Sequence, residues 1–202
     1  RRADIISSLV IGEAAGLLML VIGRNIALPS GAVRILPLLP LGFPIFTAVI
    51  MAAGSYVGGR VVIAYQFTKF LLVGGLNFLI DLGVLNLLVA ATNITEGYQV
   101  SIFKAVAFLV AVISSFLWNK FWTFRSLSTE RAATQFVEFL VITVVGFFIN
   151  VGAFSLLNNI AGPQGGIDPK TWVSISAGGA AILGLIWNFL GYKLLVFRAP
   201  RA

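Results

Sequence analysis

Six long apolar segments, about 5–22, 36–58, 67–91, 100–122, 136–158 and 172–196, make up most of the chain, and short polar connections separate them. At 18 to 25 residues, each is long enough to cross the hydrocarbon of a bilayer as an α-helix, given about 1.5 Å of rise per residue and about 30 Å of thickness. Membrane strands would instead show segments of about 10 residues with alternating polarity. The pattern therefore predicts an all-α, polytopic helical membrane protein with about six transmembrane helices. Pro37, Pro40 and Pro44 crowd the start of the second segment. Irregular interfacial backbone is expected there, turning helical after Phe43, with a re-entrant hairpin as the alternative.

Composition agrees with the pattern. The 202 residues are 59% hydrophobic and 10% charged, and the mean hydropathy is +1.01, more apolar surface than one soluble core of this size buries. Cysteine and histidine are both absent, which removes disulfides, thiolate metal sites and the usual general base. No metal or cofactor is expected. The net charge of +7 comes from cations that never run longer than two. It reads as topology and anionic head groups, not as nucleic-acid binding.

With both chain ends on one side of the membrane, that side collects ten cations: Arg1, Arg2, Arg60, Lys69, Lys120, Arg125, Arg131, Lys193, Arg198 and Arg201. The other side collects four, Arg24, Arg34, Lys104 and Lys170. By the positive-inside rule both termini belong in the cytoplasm, in a multi-pass protein of the plasma membrane. The basic start before Ile5 resembles a signal peptide flank. Glu13 interrupts the apolar run, however, and no small-residue cleavage site follows, so a retained first helix is expected.

Small residues suggest how the first two helices pack. Gly12 and Gly16 in one segment, and Gly54 and Gly58 in the next, share a four-residue spacing that lets backbones approach closely. The two helices are expected to pack on each other, and the same glycines would serve a homo-oligomer equally well. Glu13 lies near the middle of its span. It is either a proton-coupling acid or an acid neutralised by protonation or an interhelical hydrogen bond.

From Phe67 onward the chain repeats at an offset of 69, which carries Phe70-Leu71 onto Phe139-Leu140, Asp81 onto Asn150, Gly83 onto Gly152 and Trp118-Asn119 onto Trp187-Asn188. A duplicated two-helix unit is expected, about 67–126 and 136–198, with both copies inserted in the same direction. The closing Phe124-Arg125 and Phe197-Arg198 break register by four residues. In the first copy Gly74, Asn77 and Asp81 stand at i, i+3 and i+7 on one helix face. Asn150 is the uncharged counterpart of Asp81. Such a face is either a polar cavity for a head group or interhelical hydrogen-bond glue.

Each copy closes on aromatics, an amide and cations: Trp118, Asn119, Lys120, Trp122 and Arg125, then Trp187, Asn188, Tyr192, Lys193 and Arg198. Aromatic anchors with snorkelling cations would look the same. Anchoring does not call for Asn119 or Asn188, whose amides join the cations as donors suited to phosphate oxygens.

The run Lys69-Phe70-Leu71-Leu72-Val73-Gly74-Gly75-Leu76-Asn77-Phe78-Leu79-Ile80-Asp81-Leu82-Gly83, followed by Ser115-Phe116-Leu117-Trp118-Asn119-Lys120-Phe121-Trp122-Thr123-Phe124-Arg125, resembles the GtrA-like family of small membrane proteins. The resemblance covers about 67–198. It divides the chain into an N-terminal two-helix extension, 1–60, and a four-helix transmembrane domain, 61–202. It implies a part in cell-surface polysaccharide synthesis: moving polyprenyl-phosphate-linked sugars across the membrane, or anchoring a partner glycosyltransferase. The family brings no catalytic residues, so Asn77, Asp81, Asn119, Lys120 and Arg125 stand as a candidate binding surface. The expected partners are membrane lipids and the lipid-linked sugar. Enzymatic activity is not expected, since no Asp-x-Asp motif, Gly-rich phosphate loop or long hydrophilic connection is present.

Overall fold

The computed structural model describes the backbone of residues 2–25, 29–58, 61–94, 98–167 and 169–198. Every element among them is helical. In chain order these are α1 (Arg2–Asn25), α2 (Ser30–Ile35) running through a 3-10 turn (Leu36–Leu38) into α3 (Leu39–Gly58), α4 (Val62–Thr92), α5 (Tyr98–Trp118), α6 (Ala132–Ser155) and α7 (Pro169–Gly191). Three π-helical turns extend the later helices: Asn119–Thr123 after α5, Leu156–Ala161 after α6 and Tyr192–Val196 after α7. Six of the described helical spans are long and apolar enough to cross a membrane, as the sequence predicts. Side chains such as Leu41, Phe78, Phe148 and Ile160 stand outward and exposed. That much uncovered apolar surface requires lipid around it.

The second span differs from expectation. Helix begins at Ser30, and the irregular backbone shrinks to the 3-10 turn that carries Pro37. From Leu39 the chain is α-helical, with Pro40 in its first turn and Pro44 inside it. The helical ladder continues through the turn, with the Leu36 N–H on the Ala32 carbonyl and the Leu39 N–H on the Leu36 carbonyl, and Pro37, Pro40 and Pro44 each leave one donor out of it. Thr47, one turn on, turns its hydroxyl to the Ser8 carbonyl of α1 at 2.6 Å.

The chain forms two compact units, Arg1–Arg125 and Ser126–Ala202. The sequence resemblance leads one to expect a division at residue 60, whereas packing joins α1 and α3 to α4 and α5. In the first unit α1 lies antiparallel to α3. A Cβ on Gly12 would fall 2.5 Å from the Pro44 Cα, and one on Gly16 2.6 Å from the Leu39 carbonyl oxygen. Gly54 and Gly58 do not face α1, as the shared spacing suggests, but meet Thr68 and Tyr65 of α4. Leu18 against Gly83, and Asn25 against the Asn86 carbonyl at 3.4 Å, set α1 parallel to α4. Ile11, Met51, Leu72, Val73, Leu76 and Trp122 form the core of this unit.

The second unit is an antiparallel hairpin of α6 and α7. Gly146 accepts Asn188 against it, and Gly191 accepts Ile142. Phe139 stacks on Tyr192 with centroids 4.3 Å apart. The Tyr192 hydroxyl lies 2.7 Å from that of Thr143, and Gln135 donates to the Val196 carbonyl at 3.2 Å and the Ser126 hydroxyl at 3.1 Å. These hydrogen-bonded groups are neutral, while Glu138, one turn along α6 from Gln135, pairs with Arg131 at 3.4 Å.

Candidate functional site

The first unit concentrates charge at one end, around a residue outside every candidate read from the sequence. Asp4 sits in the first turn of α1, where the helix dipole favours a carboxylate. It is 1% exposed. Lys69 of α4, also 1% exposed, donates to its Oδ1 at 2.5 Å. Arg125 reaches both carboxylate oxygens through one guanidinium nitrogen, at 3.1 and 2.9 Å. The Tyr65 hydroxyl donates to Oδ2. A buried carboxylate thus has donors on both oxygens, the arrangement that makes its burial tolerable.

Local backbone conformation delivers these groups. The π turn at Asn119–Thr123 ends with the Phe124 N–H bonded to the Asn119 carbonyl at 2.9 Å. The Trp122 carbonyl, near the negative end of the helix dipole, lies 3.4 Å from Lys69 Nζ. The same ammonium is 4.5 Å from the centre of the Tyr65 ring and 5.2 Å from that of Trp122, within cation–π reach. Arg125 then turns with φ +52°, a left-handed conformation that a non-glycine residue adopts at some cost. Beside the ions, Ser7, Leu117, Trp118, Phe121 and Trp122 line an open, mostly apolar cleft of about 390 Å³. Ser7 is three residues from Asp4 along α1, and Trp122 touches Lys69, so cleft and ion cluster adjoin.

The residues predicted from sequence fall in several places. Arg125 is in the cluster, with its side chain 60% exposed. Asn77 is buried, its amide donating to the Val73 carbonyl at 2.7 Å, and its Oδ1 is buried without a hydrogen-bond partner among the described residues. Asp81 is half-buried one turn further on. Lys69, Val73, Asn77 and Asp81 succeed one another at four-residue spacing, one ridge along α4. That ridge carries the amide about 12 Å and the acid about 18 Å from the cation along the helix axis. Asn119 is buried, with its amide on the Ser115 carbonyl at 2.9 Å.

Two rim assignments need correction. Lys120 does not snorkel outward: it is 0% exposed, with Nζ 5.6 Å from the centre of the Phe121 ring. Trp122 is core rather than surface anchor, its indole edge-on to the half-buried Trp118 at 5.7 Å. The reason is helical spacing: Lys120 follows the buried Val112 and Phe116 at four-residue intervals, and Trp122 follows the covered Ala111, Ser115 and Trp118, so the inner face of α5 carries both inward.

In the second unit Asn188 is packed against Gly146, with Oδ1 buried and no hydrogen-bond partner among the described residues. Asn150 is half-buried. Lys193 lies 5.9 Å from the centre of the Phe189 ring, and Arg198 is exposed. Trp187 donates to the Ile142 carbonyl at 3.0 Å. The π turns that close the two units are 73 residues apart, and Phe197 bonds back to Tyr192 as Phe124 does to Asn119. The 69-residue offset therefore misaligns the endings. Asn119 opens its π turn, whereas Asn188 lies a helical turn before the other, so the two amides are not equivalent.

Glu13 is exposed on the outer side of α1, away from Asp4. Arg1, Arg60 and Arg201, counted in the charge asymmetry, lie outside the described residues, as do the side chains of Lys104 and Lys170. Among the described residues no group of three acidic, histidine or cysteine side chains could hold a metal ion.

Asp4 precedes the apolar run, where a lone acid has the look of a solvated flank. The apolar segment starts near Phe67, which by sequence puts Lys69 at a helix end. Nothing between Val62 and Thr92 breaks the helix, so α4 starts five residues earlier and Lys69 lies two turns inside it. The available signal was a lone acid beside Arg1 and Arg2, opposite a lysine that opens an apolar run.

No solved structure matches the chain. The profile of the family described as GtrA/DPMS, transmembrane domain, matches residues 69–197, from the buried lysine to the phenylalanine that closes the last π turn. Spanning well over half of a six-span helical chain, that match shows that this multi-pass membrane protein belongs to the GtrA/DPMS transmembrane domain family.

Proposed function

We propose that the protein is a non-catalytic translocase for a polyprenyl-phosphate-linked sugar in cell-surface glycan synthesis, acting in the plasma membrane with both termini in the cytoplasm. Family membership fits a role in moving lipid-linked sugars. The observation that carries the reading is the α4 ridge, with a cation at one end and an amide and an acid about two and three turns deeper. On this reading the cationic end receives the phosphate, and Asn77 and Asp81 give the sugar hydroxyls hydrogen-bonding partners on the way across. The prenyl chain stays in lipid. A sugar crossing hydrocarbon unaided would lose its water hydrogen bonds, and a polar ridge replaces part of them.

Vesicles reconstituted with the protein and a labelled polyprenyl-phosphate sugar test this directly. Wild type is expected to equilibrate the label between leaflets, and an Asn77→Ala, Asp81→Ala double variant to slow it at least several-fold. Unchanged flipping in the double variant removes these two residues from the path.

A second reading, an anchor for a glycosyltransferase, draws on one observation. The non-helical stretch from Leu127 to Arg131 is exposed, with Leu127 71% accessible. Co-purification of a glycosyltransferase that is lost on Leu127→Asp, with no flipping by the isolated protein, would favour the anchor.

A further inference from the structure

We infer that Lys69, Arg125 and Tyr65 form a binding site for the phosphate of a prenyl phosphate monoester, and that the Asp4 carboxylate is its built-in competitor. The inference rests on the translocation reading and concerns its sugar-free carrier, a phosphate monoester that reaches two negative charges, whereas the sugar-linked carrier is a singly charged diester. Three donor groups, Tyr65 and Lys69 of α4 and Arg125 just past the π turn, converge on the two oxygens of one carboxylate supplied by α1. An ammonium, a guanidinium and a phenol hydroxyl around two anionic oxygens are equally the donor set for two phosphate oxygens. Among these four residues two cations face one anion. A dianionic phosphate matches that cationic charge better than a single carboxylate does.

The surroundings fit an amphiphile. The Trp122 indole N–H and the Thr123 hydroxyl are buried without hydrogen-bond partners among the described residues, next to the carbonyl that meets Lys69. The apolar cleft lined by Trp118, Phe121 and Trp122 opens beside the cluster, where the first isoprene units of a prenyl phosphate would lie. Arg125, with its exposed side chain and left-handed backbone, is the member able to swing between Asp4 and an incoming phosphate. Asp4 therefore keeps two cations paired while the site is empty, and leaves when phosphate enters.

Equilibrium binding of farnesyl phosphate to the purified full chain in detergent, followed by tryptophan fluorescence, is the test. Asp4→Asn is expected to tighten binding about tenfold, since one competing charge is removed. A further Lys69→Gln change should abolish the gain. Farnesol and inorganic phosphate should each bind far more weakly than farnesyl phosphate. Comparable binding of inorganic phosphate would overturn the cleft as the chain site. Binding by a correctly folded Asp4→Asn variant that is no tighter than wild type overturns the competitor role. Arg125→Gln provides an arm that does not depend on Asp4→Asn folding. Its exposed side chain can change without disturbing the core, and undiminished binding in that variant overturns the site. Vesicle flipping separates this inference from the transport reading: absence of flipping by wild type with the Asp4→Asn gain intact defeats only the latter.

Discussion

Lys69 shows how one residue can combine stability and chemistry. Its ammonium is buried with Asp4, and both side chains are at most 2% exposed. Removing either partner strands a charge in a poorly solvated place. Lys69→Met is expected to destabilise the first unit by about 3–5 kcal/mol, measured as unfolding in mixed detergent. Arg125 faces solvent more openly and its pairing is correspondingly screened, so Arg125→Gln should cost under about 1 kcal/mol. A Lys69→Met, Asp4→Leu double variant should recover much of the loss, because an apolar pair of similar volume needs no desolvation. If the single and double variants were equally unstable, the loss would lie in side-chain packing and not in the ion pair.

At the scale of elements, helix approach decides the structure of the first unit. Gly12 and Gly16 bring α1 against α3 around Leu39 to Thr47: backbone alone stands opposite Gly16, and the Thr47 hydroxyl with the backbone of Phe43 and Pro44 opposite Gly12. Gly12→Val is expected to destabilise by about 1–3 kcal/mol through forced separation of the helices. Gly74→Ala makes the contrast, since a Cβ there meets nothing within 4 Å. Alanine should be neutral or stabilising by about 0.5–1 kcal/mol in a helix interior. Equal losses in the two variants, by thermal unfolding in detergent, would show that small size at Gly12 is not what seats α1. The seating matters for function, because α1 carries Asp4 to α4. Gly12, Gly16, Gly54 and Gly58 are all in use within the protomer, so a homo-oligomer would need another surface.

For the whole molecule the prediction concerns sidedness. The chain contains no cysteine, so single cysteines report topology without background. Thr129→Cys, in the exposed connection before α6, is expected to react with an impermeant maleimide from the cytoplasmic side only. Gln164→Cys, in the connection before α7, should react from the opposite side only. Labelling of Thr129→Cys from the outer side would overturn the assignment of the cationic cluster to the cytoplasm, and labelling of both from one face would overturn the crossing by α6.

How much of this was legible beforehand follows from the reach of each signal. Span number and helical class are local: bilayer thickness fixes the length of an apolar run, and unsatisfied backbone fixes helix. The family motifs are local too, and they brought Asn77, Asp81, Asn119 and Arg125 into view. Lys120 and Trp122 look like an outer rim by residue type, aromatics and cations closing an apolar run, and lie buried because they sit on the inner face of α5. Periodicity does not report where a helix winds as a π turn, so the two Trp-Asn pairs, matched in sequence, stand in different places. The ion cluster was beyond reach for another reason. Asp4, Tyr65, Lys69 and Arg125 are up to 121 residues apart, and only the parallel seating of α1 on α4 brings them together. By itself the sequence determined the membrane, the helices and the family, because each depends on residues close along the chain. Only the tertiary structure decided that a carboxylate from α1 closes the cationic end of the family core, because a buried charge is defined by its partners in space.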